Sequence, residues 1–263
     1  MSDEPVLIDT IDTIIQITLN RPSNRNSMDS EVLPAFNDAI NQARSDRKAR
    51  CLIITGNGKS FCSGADFNNF KADDADDKSY LPNETFMSFY KPFLALLDIE
   101  IPIIAAMNGH AIGGGFGLAL ICDIRVANKT AKYGANFARL GLHSGMAISY
   151  MMPRLIGLPL ANELLFTGRL INGEKAAEIG LANYAEPEDK VLERSWGLAK
   201  EIASCAPIAV RMMKRSIYRG LEWNPKTAAE IESHCQSRTF EMDDAKEGIT
   251  ALLEKREPIF KGC

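Results

Sequence analysis

Three consecutive glycines inside an apolar stretch constrain the fold of this chain more than any other feature. Gly113, Gly114 and Gly115 lie between a predicted buried strand at residues 102–107 and a predicted helix. Glycine in such a stretch costs backbone entropy unless the main chain must approach another group closely. A strand-to-helix junction also presents free N–H groups, which favour negative charge. We therefore expect backbone amides at this junction to hold a charged or polarised oxygen.

The spacing of the glycines excludes two phosphate-binding motifs. The segment Gly113 to Gly117 reads G-G-G-F-G instead of G-x-G-x-x-G, and no Gly-Lys-Ser/Thr follows it. Two interpretations stay open, a tight packing turn and an oxyanion hole, which needs close backbone approach and no side chain. The loop of small residues at 60–66, which follows a predicted strand at residues 51–55, is the expected source of a second amide.

The order of predicted elements indicates an α/β fold. Strands alternate with helices in the first half of the chain, and helices dominate from about residue 159 onwards. The predicted early elements are strands at residues 14–20, 51–55, 102–107 and 123–127, and helices at residues 32–43 and 86–97. The predicted late helices cover residues 159–167, 173–179, 187–204, 207–218, 227–241 and 243–255.

Composition narrows the class of partner. The chain carries 30 Lys and Arg against 34 Asp and Glu, which weighs against a general nucleic-acid binder or a protein held on anionic membranes. No apolar run approaches the roughly 18 residues of a membrane helix, and the first ten residues lack a signal-peptide core. The scattered cysteines form no C-x-x-C pair, as is typical of a reducing compartment. We expect a cytoplasmic protein without nucleic-acid or membrane partners.

An acidic run at residues 73–77 is the only feature that suggests a metal ion. It lies in a polar segment, residues 71–83, and lacks the glycine turn and distal glutamate of an EF-hand loop. We expect a solvated loop there and no metal site in the protein.

The chain resembles the crotonase superfamily, which contains the enoyl-CoA hydratases and isomerases. The resemblance covers nearly the whole sequence, and it rests on the order and spacing of several short motifs, including Leu-Asn-Arg-Pro, Phe-Cys-Ser-Gly-Ala-Asp and Cys-Asp-Ile-Arg. The matching segments are residues 19–22 with Asn26, 61–66, 108–109 with 113–115, 122–125, 164–168, 176–177 with 180–181, and 247–248 with 254–256.

The resemblance implies a specific architecture and substrate class. We expect a crotonase-like spiral core of ββα turns at residues 1–190 that binds acyl-CoA. Residues 191–263 would form a C-terminal helical trimerisation region, and trimers of this family often pair into hexamers. The implied substrate is a coenzyme A thioester. Coenzyme A would therefore enter as part of the substrate, and no tightly bound cofactor is expected.

The resemblance also assigns roles to residues. The amides of Ala65 and Gly114 match the two oxyanion donors of the family and would hold the thioester carbonyl oxygen. Phe260 and Lys261 resemble residues that reach the nucleotide end of coenzyme A from a neighbouring subunit. The complete set of implied substrate-binding residues is Arg25, Ser63, Ala65, Asp66, Phe67, Asn68, Gly114, Phe137, Phe260 and Lys261. Of these, Arg25 stands where many members place a basic contact to coenzyme A.

The chain departs from the family at its proton-transfer positions. The best-known hydratases use two glutamates, and Gly117 and Phe137 stand at those places here. Some isomerases use an aspartate eight residues after the second site, and that residue is Gly145. General acid/base catalysis is typically worth about 10²–10⁴-fold in rate. The two-glutamate hydration mechanism therefore cannot operate in this chain.

Other side chains are candidates for the missing proton-transfer group. His143 is a candidate because histidine is the side chain best suited to act as a base near neutral pH, and Asn136 could position water or a carbonyl without moving a proton. The weaker candidates are His110, Asp66 and Glu84. For His234 and Asp123 we expect structural roles, Asp123 as a hydrogen-bonding group at the start of a strand.

Three functions fit these observations. The first is an acyl-CoA enzyme like the enoyl-CoA hydratases and isomerases, which stabilises a thioester enolate but has an atypical active site. The second is an acyl-CoA thioester hydrolase or decarboxylase, since neither reaction strictly needs the two glutamates. The third is a non-catalytic acyl-CoA-binding protein, in which empty catalytic positions would be expected. The sequence does not fix the acyl group.

Overall fold

The computed structural model describes residues 4–65 and 82–263, and within them the strands form two sheets. The strands are β1 (Val6–Ile11), β2 (Ile14–Leu19), β3 (Cys51–Gly56), β4 (Ser60–Cys62), β5 (Ile103–Met107), β6 (His110–Ile112), β7 (Ile124–Asn128), β8 (Lys132–Gly134), β9 (Ile171–Asn172) and β10 (Tyr184–Glu186). The larger sheet has the order β1-β2-β3-β5-β7-β10, and the smaller has the order β4-β6-β8-β9. Parallel pairing predominates in both sheets.

The two sheets arise from a spiral of repeated turns. Each of the pairs β3–β4, β5–β6 and β7–β8 places one strand in the larger sheet and the next in the smaller. The helices are α1 (Val32–Ser45), α2 (Pro82–Leu94), α3 (Gly114–Ile121), α4 (Ile148–Thr167), α5 (Gly173–Glu178), α6 (Val191–Ala203), α7 (Pro207–Gly220), α8 (Pro225–Phe240) and α9 (Asp243–Glu254). The predicted α/β class and the ββα spiral are confirmed.

Strand β3 is buried along its whole length because both of its faces are covered. Leu52 and Ile54 belong to the main core, whereas Cys51 and Ile53 face a second cluster. That second cluster includes the apolar face of α6. Helix α6, which begins at the residue after the expected end of the spiral core, thus packs directly on the larger sheet.

Asparagine side chains join successive turns of the spiral at their corners. Asn26 donates to the carbonyl oxygens of Asn57 (3.0 Å) and Ser60 (2.7 Å). Asn108 accepts from the amide of Gly56 at 3.0 Å. Asn128 donates in turn to the carbonyl of Asn108 at 2.8 Å. These bonds satisfy buried main-chain groups where the chain turns from one sheet to the other.

The carboxylate of Asp123 fastens helix α7 to the sheet. It accepts hydrogen bonds from the Ile103 amide (2.6 Å) and from the Tyr218 hydroxyl (2.6 Å), and it pairs with Lys214 (2.8 Å). The expected hydrogen-bonding role of Asp123 is confirmed. Beyond this attachment, helices α7 to α9 and the segment after them carry exposed apolar side chains, including those of Met213, Ile217, Leu221, Phe240, Ile249, Leu252, Leu253 and Ile259.

Three local expectations differ from the structure. The predicted loop at residues 60–66 begins as strand β4, whose residues are all buried. Helix α4 begins at Ile148, well before the predicted start at residue 159. The prediction misses this first part because Pro153 and Pro159 lie inside the helix and Gly157 interrupts it with φ +75°. The strands β6, β8, β9 and β10 escape prediction because only two or three residues form each of them, and the six-residue strand β1 is not predicted either. The acidic run at residues 73–77 lies outside the described residues.

Candidate active site

A large cleft opens beside the glycine segment. Its volume is about 1100 Å³, and it lies between helix α2, the loop that follows β4 and the N-terminus of α3. The described residues that line it are mostly apolar or small: Ser23, Asn24, Arg25, Ser27, Ser63, Ala65, Asn83, Phe86, Met87, Phe89, Tyr90, Ile112, Gly113, Gly114, Asn136, Phe137, Leu140, Leu142, His143, Ser144 and Met146. A cleft of this kind can hold a substantial organic ligand.

Two backbone amides in the cleft lack an acceptor among the described residues. One is the amide of Gly114, the first residue of α3, and the other is that of Ala65. Gly113 precedes the helix with φ +56° and ψ −120°, a conformation that disfavours any residue with a Cβ. Its own amide donates to the carbonyl of Gly134 at 2.9 Å, and the Gly114 amide, which lines the cleft, is left free.

The two free amides belong to loops that touch each other. A Cβ built on Gly114 would lie 3.9 Å from the Ala65 nitrogen, and a Cβ built on Gly64 would lie 2.9 Å from the Gly114 nitrogen. The Ala65 loop is held in place by the Met28 amide, which donates to the Gly64 carbonyl at 2.8 Å. Glycine at 64 and 114 therefore permits the close approach that an oxyanion hole requires.

Apolar side chains fill the space beside Gly117. A Cβ at this position would lie 2.5 Å from Met146 Cβ and 3.3 Å from Ile148 Cγ1. Met146 and the next residue, Ala147, both have positive φ angles, of 58° and 54°. Consecutive left-handed residues without glycine are strained, and such strain is common at functional sites. Gly117 is therefore packed tightly and leaves no vacancy for a larger side chain.

Phe137 and Asn136 stand over the glycine turn. Phe137 Cζ lies 3.6 Å from a Cβ built on Gly113, and Asn136 Oδ1 lies 3.8 Å from it. The Asn136 side chain has no hydrogen-bond partner within residues 4–65 and 82–263. The structure thus brings the predicted residues Asn136, Phe137 and Gly114 together at one end of the cleft, with a free amide group among them.

Gly145 is in contact with the hydroxyl group of Tyr90. A Cβ at residue 145 would collide with Tyr90 Oη and would lie 2.8 Å from Cζ. Tyr90 comes from helix α2 and is half-buried beside the rings of Phe86 and Phe89, with centroid separations of 6.4 and 6.3 Å. Burial raises the pKa of the Tyr90 hydroxyl above its ordinary value.

The candidate histidines occupy different places. His143 lines the cleft, is exposed, and has its Nδ1 atom 2.7 Å from the Ser144 carbonyl oxygen. His110 lies outside the cleft lining, and its Nδ1 accepts from the Lys132 amide at 2.9 Å, which is a structural contact between β6 and the residue that begins β8. Glu84 and His234 are exposed and do not line the cleft either.

The polar residues Asn24, Arg25 and Ser27 also line the cleft. Arg25 is exposed there, and its guanidinium has no partner among the described residues. Asn24 Oδ1 and Ser27 Oγ are buried without hydrogen-bond partners. Buried polar atoms of this kind are rare in native structures and indicate an unfilled polar contact. Ser63 joins this group through its amide, which donates to the Arg25 carbonyl at 3.1 Å.

The C-terminal candidates lie away from this cleft within the same chain. The Lys261 amide donates to Asp244 at 2.7 Å, and the Phe260 carbonyl accepts from Arg50 at 2.5 Å. Neither Phe260 nor Lys261 lines the cleft. Three further candidates, Asp66, Phe67 and Asn68, lie outside the described residues.

Nucleophilic and metal chemistry find no support in the described residues. Cys62 lies two residues before Gly64 and accepts from its amide at 3.4 Å, but the thiol is fully buried. Burial raises the pKa of Cys62 to about 12, so the thiol stays protonated and unreactive at neutral pH. The described part of the chain also holds no group of three His, Cys, Asp or Glu side chains suited to a metal ion.

Several cleft residues escaped the sequence reasoning. No recognisable sequence motif contains Tyr90, Met146 or Ser27. Tyr90 and Met146 shape the cleft through contacts with residues distant in sequence, and Ser27 contributes a buried hydroxyl group without a partner. The glycines were the available signal: Gly117 and Gly145 are small because Met146 and Tyr90 occupy the adjacent space.

Comparisons with known proteins identify the family of the chain. The family model described as enoyl-CoA hydratase/isomerase matches residues 9–263. The short-chain-enoyl-CoA hydratase of Clostridium acetobutylicum is 33% identical over 254 residues, covering 96% of this chain and 95% of that protein. The methylglutaconyl-CoA hydratase of rat mitochondria is 32% identical over 258 residues, with 95% and 79% coverage. The crystal structure of an enoyl-CoA hydratase from Bacillus anthracis superposes with a TM-score of 0.90 at 31% identity, covering 98% of this chain and 100% of that one.

Proposed function

The chain belongs to the enoyl-CoA hydratase/isomerase family of acyl-CoA-processing enzymes, and we propose that it acts on an enoyl-CoA through a two-amide oxyanion hole without the usual glutamates. The observation that carries this proposal is the pair of unpartnered amides of Ala65 and Gly114, held on touching loops. Bound there, a thioester carbonyl oxygen would accept two hydrogen bonds as its negative charge grows. In other enzymes one such donor is worth about 3–4 kcal/mol of transition-state stabilisation.

The reaction would proceed through a thioester enolate. The amides strengthen their bonds as the carbonyl oxygen becomes an enolate oxygen, which is the differential stabilisation that accelerates a reaction. Gly117 and Phe137 supply no proton-transfer group, and no Asp or Glu occurs among the described lining residues. Proton transfer would therefore come from another group in the cleft, such as His143, or from water positioned by Asn136.

Coenzyme A would enter as part of the substrate, with no other cofactor bound. The free Arg25 guanidinium in the cleft lining suits a phosphate group of coenzyme A. Ser27 and Asn24 have unfilled hydrogen-bonding capacity nearby, which suits the polar pantetheine arm. The apolar surfaces of Phe86, Leu140 and Leu142 would cover the acyl group.

A trimer or hexamer is the expected assembly. Helices α7 to α9 carry several exposed apolar side chains, and contiguous exposed apolar surface is typical of protein–protein interfaces. Phe260 and Lys261 lie away from their own chain's cleft, so any contact they make with a substrate would be in a neighbouring subunit. Within residues 4–65 and 82–263, no helix has both the length and the apolar character to cross a membrane.

The test is to follow the conjugated thioester absorbance of enoyl-CoA substrates with the purified protein. A panel is needed because the relatives named above act on different acyl groups, short-chain enoyl and methylglutaconyl. Turnover of at least one enoyl-CoA would support the proposal. Binding of every substrate without turnover of any would contradict it and favour the non-catalytic alternative.

Thioester hydrolysis or decarboxylation is the second candidate. The absence of Asp and Glu from the described cleft lining favours it, since an enolate formed by loss of CO₂ needs an oxyanion hole but no base. The same panel, extended to malonyl- and methylmalonyl-CoA, separates the candidates. Release of CO₂ or free thiol without enoyl-CoA turnover would replace the first proposal with this one.

A further inference from the structure

The described lining of the cleft contains only three ionisable side chains. These are Arg25, Tyr90 and His143. Arginine keeps its proton in proteins and cannot serve as an acid. His143 is exposed, whereas Tyr90 is half-buried beside the rings of Phe86 and Phe89. The Tyr90 hydroxyl has no hydrogen-bond partner within the described part of the chain. It is therefore available to a bound ligand.

The loop that contacts Tyr90 also contacts the oxyanion hole. Gly145 meets the Tyr90 hydroxyl, and the next residue, Met146, places its Cγ 3.9 Å from a Cβ built on Gly114. Tyr90 and the Gly114 amide are thus linked by two consecutive residues of one loop. The conformation of that loop is tightly specified, because Met146 adopts a positive φ of 58°. Tyr90, Met146 and Gly114 all line the cleft, so a substrate held by the Gly114 amide would share the cleft with the Tyr90 side chain.

From this geometry we propose that Tyr90 is the residue that protonates the substrate carbon next to the thioester, a role that rests on the enoyl-CoA reaction proposed above. Water adds to the β-carbon, and the electron pair of the C=C bond forms the enolate. The O–H bond of Tyr90 then breaks as a C–H bond forms at the α-carbon. The phenolate recovers a proton from the oxygen that was added, so Tyr90 returns to its starting state and no other reactant is consumed.

The chemistry of a phenol suits this step better than the other hydroxyls in the cleft. A tyrosine hydroxyl has an ordinary pKa of about 10, far below that of the serine hydroxyls. Burial raises the pKa of Tyr90 further, so the group is fully protonated at neutral pH and starts as the acid. Gly145 has no side chain, so nothing at that residue separates the hydroxyl from the cleft.

Replacement of Tyr90 by phenylalanine tests the proposal. The ring and its contacts with Phe86 and Phe89 remain, and only the hydroxyl is lost. We expect kcat for an enoyl-CoA to fall by about 10²–10⁴-fold with little change in KM. In D₂O, the residual rate should be accompanied by loss of stereospecific deuterium incorporation at the α-carbon. Tyr150→Phe is the matched control, because Tyr150 is an exposed tyrosine that packs on Arg154 outside the cleft lining.

The remaining outcomes separate this inference from the proposed function. If the wild-type protein turns over an enoyl-CoA and Tyr90→Phe retains its kcat within about 3-fold, Tyr90 is not the acid. The same conclusion follows if His143→Gln abolishes turnover while Tyr90→Phe does not. If the wild-type protein has no turnover at all, the proposed function fails and the role of Tyr90 fails with it. Calorimetric binding of the acyl-CoA to Tyr90→Phe verifies that the variant is folded.

Discussion

Met146 occupies the space into which a side chain at residue 117 would grow. The Cβ of Met146 would lie 2.5 Å from a Cβ at Gly117, closer than two carbon atoms can approach. A buried methionine therefore packs against Gly117, the residue that the family resemblance aligns with one catalytic glutamate. Glycine at residue 117 and the packing of Met146 form one structural feature, because a larger side chain at residue 117 would need Met146 to move.

Substitution of Gly117 tests this packing. Gly117→Ala should lower the free energy of unfolding by about 1–3 kcal/mol, since the added methyl group overpacks the core against Met146. Gly197→Ala on helix α6 is the control, because nothing lies within 4 Å of a Cβ there, and it should raise stability by about 0.5–1 kcal/mol. Denaturant unfolding measures both. Equal effects of the two substitutions would show that residue 117 has free space.

Arg25 should matter for the nucleotide part of the substrate and not for its acyl part. Arg25→Ala should raise KM for an acyl-CoA by about 5-fold, the worth of an exposed charged contact of about 1 kcal/mol. The same acyl group on N-acetylcysteamine, which has no phosphates, should show no change in KM. Arg154→Ala, an exposed change outside the cleft lining, is the control. An equal rise in KM for both thioesters would show that Arg25 does not contact a phosphate group of coenzyme A.

Asp123 should be essential for stability. Asp123→Ala removes two hydrogen bonds and takes the carboxylate away from the largely buried Lys214 amine, which keeps only its hydrogen bond to the Ile101 carbonyl among the described residues. We expect a loss of about 3–5 kcal/mol in the free energy of unfolding. Lys246→Ala breaks the exposed pair with Asp243 and should leave unfolding nearly unchanged. If both substitutions have equally small effects, Asp123 does not fasten helix α7.

The buried thiols should make the protein less stable in alkali. Burial raises the pKa of Cys62 to about 12, whereas an unfolded thiol ionises near pH 8.5. Between these values the unfolded chain loses a proton that the folded chain retains. The thiol's contribution to stability is therefore complete below about pH 8.5 and falls by about 1.4 kcal/mol per pH unit above it.

Unfolding at several pH values between 8 and 10.5 measures this effect. Cys62→Ala should show a shallower decline of stability with pH than the wild-type protein. Cys205→Ala, which removes an exposed thiol, is the control and should keep the wild-type slope. Identical slopes for Cys62→Ala and the wild type would contradict the assigned pKa.

Much of the fold could be predicted from local pattern, whereas the contents of the cleft could not. The glycine segment predicted the strand-to-helix junction, and the buried run at residues 51–55 predicted strand β3, because each signal lies within a few neighbouring residues. The side-chain hydrogen bonds of Asn26, Asn108 and Asn128 join residues that are at least 20 positions apart in the chain. Local sequence spacing therefore does not reveal these hydrogen bonds.

The proton-transfer apparatus shows the same limit. The family resemblance predicts that Gly117 and Gly145 stand where relatives carry proton-transfer side chains. The sequence does not reveal which residues pack beside these two glycines. Tyr90 meets Gly145 across 55 residues of chain, and Met146, which has a positive φ angle, packs against Gly117. Tertiary contact and backbone strain of this kind have no signature in composition or periodicity.

The central claim is that the Gly114 amide stabilises a thioester enolate, and one pair of variants tests it directly. Gly114→Pro removes the N–H group at the first helical position, where proline is well tolerated. Gly114→Ala keeps the N–H group, and its methyl would lie no closer than 3.6 Å to Gly64 Cα. We predict that kcat/KM for the best enoyl-CoA falls by about 10²–10³-fold in Gly114→Pro and stays near wild type in Gly114→Ala. Equal activity in the two variants would contradict the account.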